Sequence, residues 1–203
     1  QIKFGIYSSY AMKKDLLQDL LVYYSSSEKK PVTLEEYVGR MRESQKYIYY
    51  ACGESTAKLD MLPQTEMLRD KGYEILYLTD EIDEFALKTM RDYKEKEFRS
   101  VSDAELDIED EGEKEEIKKT AEDNKSLFEF MKEHLGDNVK EVRLSTRLKT
   151  HPVCLTSDGG ISLEMEKVLN AMPTNTEKVK AARVLEINAN HPIFAALTKA
   201  YAE

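Results

Sequence analysis

Few residues in this chain have the type and spacing to do chemistry. The three histidines, His134, His151 and His191, stand far apart and share no metal-ligand spacing with one another. Only His151 and Cys154 come close, three positions apart, where a Cys–His nucleophile pair is conceivable. On a strand that spacing turns the side chains to opposite faces, which argues against a shared metal and for a structural strand start at His151-Pro152. Two cysteines, Cys52 and Cys154, cannot build a disulfide framework or a four-ligand zinc site by themselves; they read as buried thiols of a reducing cytosol. Carboxylate pairs are plentiful but fall in helix-flanking runs. Glu35 and Glu36 belong to a cap, and Asp83 and Glu84 to a first helical turn, where negative charge is favourable. Glu109–Glu116 is a solvated run. General acid–base work needs a carboxylate in a water-poor pocket, and no feature places one there. No GxGxxG, GxxxxGKS/T or GxSxG motif occurs. The expectation is a chain with no catalytic, metal-binding or cofactor-binding residues of its own.

Two apolar surfaces remain. In Ile161-Ser-Leu-Glu-Met-Glu-Lys-Val-Leu-Asn-Ala-Met172, residues Ile161, Met165, Val168, Leu169 and Met172 follow helical spacing, and Leu163 lies off that stripe. The helix is thus apolar on more than one side, as ordinary core or as a binding surface, where flexible Met is favoured. The other surface is a helix carrying Ile82, Phe85, Ala86 and Met90 on one face, with core as its plain reading.

The elements that would position these surfaces alternate up to about residue 102. Helices are expected over Asp15–Leu21, after the Thr33-Leu-Glu-Glu36 capping box, over Glu54–Leu62 and Gln64–Lys71, and after a cap at Asp80. Strands are expected at Leu21–Tyr24, Tyr47–Cys52, Glu74–Thr79 and Phe98–Val101. Strands separated by helical crossovers predict a small three-layer α/β/α unit with a mostly parallel sheet. After Gly112 the order changes. A long helix Glu113–Leu135 precedes strands at Val139–Ser145, Pro152–Thr156 and Val184–Ile187, with helices at Ile161–Met172 and Pro192–Ala202. This reads as a mixed α+β unit with a small antiparallel sheet, so the fold class is α/β plus α+β.

Charge draws the boundary. The chain carries 39 acidic against 30 basic residues, a formal net charge of -9, and 41% apolar residues, enough for a core. Asp103–Asp123 alone holds 11 acidic residues and three lysines, so Asp103–Gly112 is expected to be a solvated linker. The negative balance disfavours nucleic acid as a partner, and the short apolar runs disfavour a membrane span or a secretory signal. The chain opens at Gln1 and closes on a helix without a stop signal, so both ends read as cut from something longer.

Several motifs carry a resemblance. The stretch Thr33–Tyr50, Gly53-Glu-Ser55, Gly72–Asp80 and Ile82-Asp-Glu-Phe85 resembles the middle domain of the ninety-kilodalton heat-shock (Hsp90) chaperones. Val139–Ser145, Arg147-Leu148, Pro152-Val-Cys154, Met165-Glu166, Leu185–Asn188 and His191-Pro192 resemble the C-terminal domain of the same family. The motifs occur in the family's order along the whole chain, without a long charged insert, as in its bacterial branch.

The resemblance implies a division into 1–21, the end of a helical connector; 22–102, the small middle subdomain; 103–112, the acidic linker; and 113–203, a C-terminal domain lacking its final dimerisation helices. It implies a cytoplasmic, stress-linked, ATP-driven homodimeric chaperone whose partners are partly folded client proteins. The ATP and Mg site and the catalytic Arg would lie outside this stretch, which would itself be no enzyme. Client contacts would fall on Glu84, Phe85 and Lys88 and on Ile161, Met165, Val168 and Leu169. Some relatives carry Trp where Phe85 stands and Asn where Lys88 stands; an aromatic anchor is kept. The rival reading is a structural or oligomerisation module in which the exposed stripe is a subunit contact.

Overall fold

The computed structural model describes residues 1–106, 108, 111–173 and 177–203. The run Ile48-Tyr-Tyr-Ala-Cys52 is apolar or aromatic at every position, so it needs cover on both faces. It forms β3 (Ile48–Cys52) inside a six-stranded sheet of order β2-β1-β4-β3-β6-β5. The other strands are β1 (Val22–Ser25), β2 (Pro31–Thr33), β4 (Leu76–Leu78), β5 (Asp92–Tyr93) and β6 (Lys96–Ser100). One face is covered by Ile6 of α1 (Ile2–Ser8), Leu34 and Tyr37 of α3 (Leu34–Arg40), and Leu87 and Met90 of α6 (Asp83–Met90). The short α2 (Lys14–Leu17) adds Leu17 at the margin. The opposite face is covered by Leu59 of α4 (Thr56–Asp60) and by Met67 and Leu68 of α5 (Glu66–Asp70).

Only the three middle strands run parallel: β3 pairs in parallel with β4 and β6, whereas β1, β2 and β5 join antiparallel. The sheet is therefore mixed, not mostly parallel. Two hairpins account for the difference. The chain returns directly from β1 to β2, and a tight turn joins β5 to β6. In that turn Lys94 and Glu95 both take positive φ, 47° and 63°, as a two-residue hairpin turn of the primed type requires. The turn lacks the Asn-Gly chemistry that would have announced it.

The second unit begins with α7 (Glu111–Asp123) and α8 (Lys125–Leu135). The single long helix expected there is broken at Asn124, whose side-chain amide donates to the Thr120 carbonyl (2.9 Å) and competes with the helical ladder. A three-stranded sheet follows in the order β7-β9-β8, from β7 (Glu141–Leu144), β8 (Val153–Asp158) and β9 (Ala182–Ile187). β9 inserts between the other two, parallel to β7 and antiparallel to β8, so this sheet is mixed rather than antiparallel. Leu127, Phe128, Val142, Leu144 and Ile187 form its core, with Phe194 and Leu197 of α10 (Pro192–Ala202) packed against them. The helix α9 (Leu163–Ala171) spans the connection from β8 to β9.

The expected solvated linker is corrected by its apolar residues. Ala104, Leu106 and Ile108 are buried, and Leu106 and Ile108 complete the core under β3 and β4. Residues 102–104 also bond to β8, through Ser157 N–H to the Ser102 carbonyl (2.8 Å) and Ala104 N–H to the Ser157 carbonyl (2.9 Å). Alternation at every second position turns Glu105 to water while its neighbours Ala104 and Leu106 are buried. Positions 107, 109 and 110 of the expected linker, and with them the start of the Glu109–Glu116 run, lie outside the described residues.

Candidate functional site

In open α/β sheets, ligand clefts form outside the carboxyl ends of parallel strands. Here β3 and β4 run in register, Cys52 opposite Leu78, and both end at the same edge. Beyond them lies a cleft of about 430 Å³, walled by α6 on one side and α9 on the other. Cys52, Leu78, Phe85, Met165, Val168 and Ala171 supply its apolar lining.

Each wall is built by local chemistry. The helix α6 starts at Asp83, whose carboxylate accepts the Asp80 N–H (3.1 Å); the expected Asp80 cap is thus replaced by a carboxylate reaching back from inside the helix. On the other wall Ser162 caps α9, accepting the Met165 N–H (3.0 Å). The same hydroxyl donates to Glu84, which joins the two walls below the cleft. None of the nine residues of α9 is fully buried. The helix is held mainly by polar ties. Glu166 accepts from the Ala181 N–H (2.9 Å) and Arg183 (2.8 Å), and Asn170 both donates to and accepts from the backbone of Val179 (2.8 and 2.9 Å). A second cavity of about 420 Å³ runs along its other side, past Leu163.

Four of the seven residues named for client contact line the cleft: Glu84, Phe85, Met165 and Val168. Met165 and Val168 are half-buried, as are Ile161 and Leu169, which lie outside its lining. Phe85 is only 8% exposed and meets the Tyr7 ring of α1 edge-on, with centroids 5.8 Å apart. Lys88 does not line the cleft; its ammonium donates to the Gly160 carbonyl (3.0 Å), tying α6 to the turn before α9.

Asp83 and Glu84 are the largest departure from expectation. Both are buried, not solvated, with Glu84 4% exposed. Burial pushes the Glu84 carboxyl above its usual range even though the Ser162 bond opposes it. Asp83 is likewise raised by burial, against an ion pair with Lys3 (2.5 Å). A first helical turn looks solvated in sequence, and only the packing of α1 and α9 against it removes water.

The cysteine and histidine pair does not form. His151 Nδ1 contacts Glu66 (2.8 Å), whereas Cys154 lies with its sulfur 4.0 Å from Glu186. Burial, with Glu186 adding to it, pushes the Cys154 thiol up to about 12, so no thiolate nucleophile is available there. Among the described residues no group of three His, Cys, Asp or Glu could hold a metal ion, and no helix is long and apolar enough to cross a membrane. The wall residues Cys52, Leu78 and Ala171 were not expected in the site. Their signal was present in the ends of two neighbouring parallel strands, but strand order is needed to read it.

The sequence that builds this cleft has close relatives among known proteins. All 203 residues match the family model described as Hsp90 protein. The chain is 59% identical over 201 residues to the Chaperone protein HtpG of Clostridium acetobutylicum, covering 99% of this chain and 32% of that protein. It is 62% identical over 200 residues to the Chaperone protein HtpG of Oceanobacillus iheyensis, again over 98% of this chain and 32% of the relative. For the Chaperone protein HtpG of Bacillus velezensis the figure is 56% over 203 residues. The chain belongs to the Hsp90 family, resembles its bacterial members, and spans 32% of the length of these relatives.

Proposed function

We propose that this chain is the client-holding portion of an ATP-driven cytoplasmic chaperone. ATP and Mg binding and the catalytic Arg are assigned to parts of a longer protein, and no nucleotide chemistry is assigned to these residues. The observation that carries the reading is the cleft between α6 and α9, where Met165 and Val168 present an apolar surface beside a nearly buried Phe85 and α9 keeps every residue at least partly exposed. Such a surface makes few geometric demands, which suits partners that are partly folded and varied in sequence. Its size suits weak, reversible capture: a small apolar area contributes roughly 25 cal/mol per Å², against association costs of at least ~4 kcal/mol.

The test is titration of the chain with a fluorescent, partly unfolded protein, beside a Met165→Glu, Val168→Glu variant shown by circular dichroism to be folded. Loss of saturable binding in the folded variant supports the cleft. Undiminished binding removes it as the site.

A second reading has its own observation. Phe130 on α8 and Ile193 and Tyr201 on α10 are exposed, and the Phe130 and Tyr201 rings lie 5.2 Å apart. That aromatic face fits a subunit contact, so self-association through α8 and α10, measured as solution mass, would assign the chain an assembly role and the parent protein a homodimer.

A further inference from the structure

We infer that the cleft between α6 and α9 selects segments in which apolar residues are flanked by Lys or Arg; this inference rests on the client-binding reading above and adds the chemistry of the partner. The charged groups that line the cleft are Glu54, Asp80, Glu81, Glu84 and Glu164, against the single ammonium of Lys167. That ammonium is already engaged by Glu164 (2.6 Å). Glu84 is buried and bonded to Ser162, so it shapes the floor rather than the rim. Glu54, Asp80 and Glu81 stand exposed around the mouth, on the loops that follow β3 and β4.

The lysines that partner the rim come from outside the cleft. Lys58 pairs with Glu54, and Lys3 pairs with Asp80 (2.8 Å). Neither lysine lines the cleft. The Lys58–Glu54 pair is exposed and therefore weak, so an incoming ammonium or guanidinium can replace it at little cost, whereas Lys3 is also held by the buried Asp83 (2.5 Å) and stays on Asp80; Glu54 and Glu81 are thus the rim carboxylates a partner engages. An incoming carboxylate meets like charge at the rim, and Lys167 or Lys58 can answer it only by giving up the Glu164 or Glu54 it already pairs with. An apolar floor inside an acidic mouth therefore discriminates by charge at the flanks and by burial at the centre. The two parts act on different quantities, the rim on encounter and salt dependence and the floor on residence.

The experiment measures fluorescence anisotropy of three labelled peptides sharing one Leu-Phe core, flanked by Lys, Ser or Glu, at low and high salt. The Lys-flanked peptide is expected to bind about ten-fold tighter than the Glu-flanked one at low salt, with the gap closing as screening shortens the range of the rim charges. Glu54→Lys with Glu81→Lys should narrow or invert the preference. Glu129→Lys with Glu133→Lys on α8 makes the same change in net charge away from the cleft and should leave the preference intact. Equal affinity for all three peptides, or equal loss of preference in the α8 variant, overturns the inference while leaving the cleft reading standing. Binding that is absent for every peptide, or unmoved by Met165→Glu, overturns the reading itself.

Discussion

The guanidinium of Arg147, fully enclosed, donates through Nε to Glu186 at 3.0 Å, and Glu186 is itself 1% exposed. The remaining donors of Arg147 reach the carbonyls of Val101 (2.8 Å) and Ala104 (2.7 Å), at the end of the first unit. Glu186 also accepts from Arg143 (2.9 Å), Ser145 (2.9 Å) and Thr156 (3.0 Å). One buried ion pair thus fastens the segment after β6 to the sheet of the second unit. Arg147→Met leaves Glu186 with Arg143 as an ionic partner but takes the Arg147 donors from the Val101 and Ala104 carbonyls, so it is expected to destabilise by about 3 kcal/mol; Arg147→Met with Glu186→Met should recover only part of that, because Ser145 and Thr156 then lose their acceptor. Urea midpoints of the two single variants and the double variant test this; additive losses would show that the pair is not coupled.

A second clasp joins the units through Glu66. Its carboxylate, on α5, accepts the N–H groups of Lys149 (2.7 Å) and Thr150 (3.1 Å), the Thr150 hydroxyl, and His151 Nδ1 (2.8 Å). Burial alone would raise this carboxyl, but the hydrogen bonds outweigh it and hold the group at about 2, against an ordinary 4.5. A carboxyl lowered on folding contributes stability above its ordinary value and loses it as pH falls toward the folded value. The stability supplied by Glu66 should therefore be complete above about pH 4.5 and lost between there and pH 2. Thermal unfolding measured across that range should fall with pH in the parent and fall less steeply in Glu66→Gln, where Asp60, Asp158 and Glu166, also held low, still contribute.

Ser162 serves both as the α9 cap and as the link to Glu84. Ser162→Ala should cost about 1 kcal/mol through the lost cap, with a further penalty for leaving a buried Glu84 oxygen unpaired. Because the two walls of the cleft meet at this bond, the variant should also show faster amide exchange across residues 163–171. Unchanged exchange there would mean that the bond does not hold α9.

The β5–β6 turn carries backbone strain at two non-glycine residues. Glu95→Gly relieves one of them and should stabilise by up to ~1 kcal/mol, less the added chain entropy of glycine. A lowered urea midpoint would contradict that balance.

Much of the chain was legible without coordinates where one periodicity governs one element. The Thr33 capping box is formed in full, with Glu36 accepting the Thr33 N–H (2.7 Å) and Thr33 accepting the Glu36 N–H (3.2 Å). The apolar stripe of Ile161–Met172 marked α9 for the same reason. Misreadings arose where the deciding partner is distant in sequence. The acidic density of Asp103–Gly112 outweighs the alternating Ala104, Leu106 and Ile108; Leu106 and Ile108 share a core with Tyr49, Leu68 and Ile75, more than thirty residues upstream. Asp83 and Glu84 follow every local rule for a solvated first turn, and their burial depends on Lys3 of α1 and Ser162 of α9.

Local sequence was enough for the Thr33 capping box, the apolar strand β3 and the family, because these rest on neighbouring residues or on motifs in order. Which strands adjoin, which carboxylates lose their water, and that α6 and α9 face each other across a cleft emerge only when the chain is folded. Those outcomes depend on strand order and on contacts such as Arg147–Glu186 and Ser162–Glu84, where burial turns an ordinary surface residue into a partner of one particular atom.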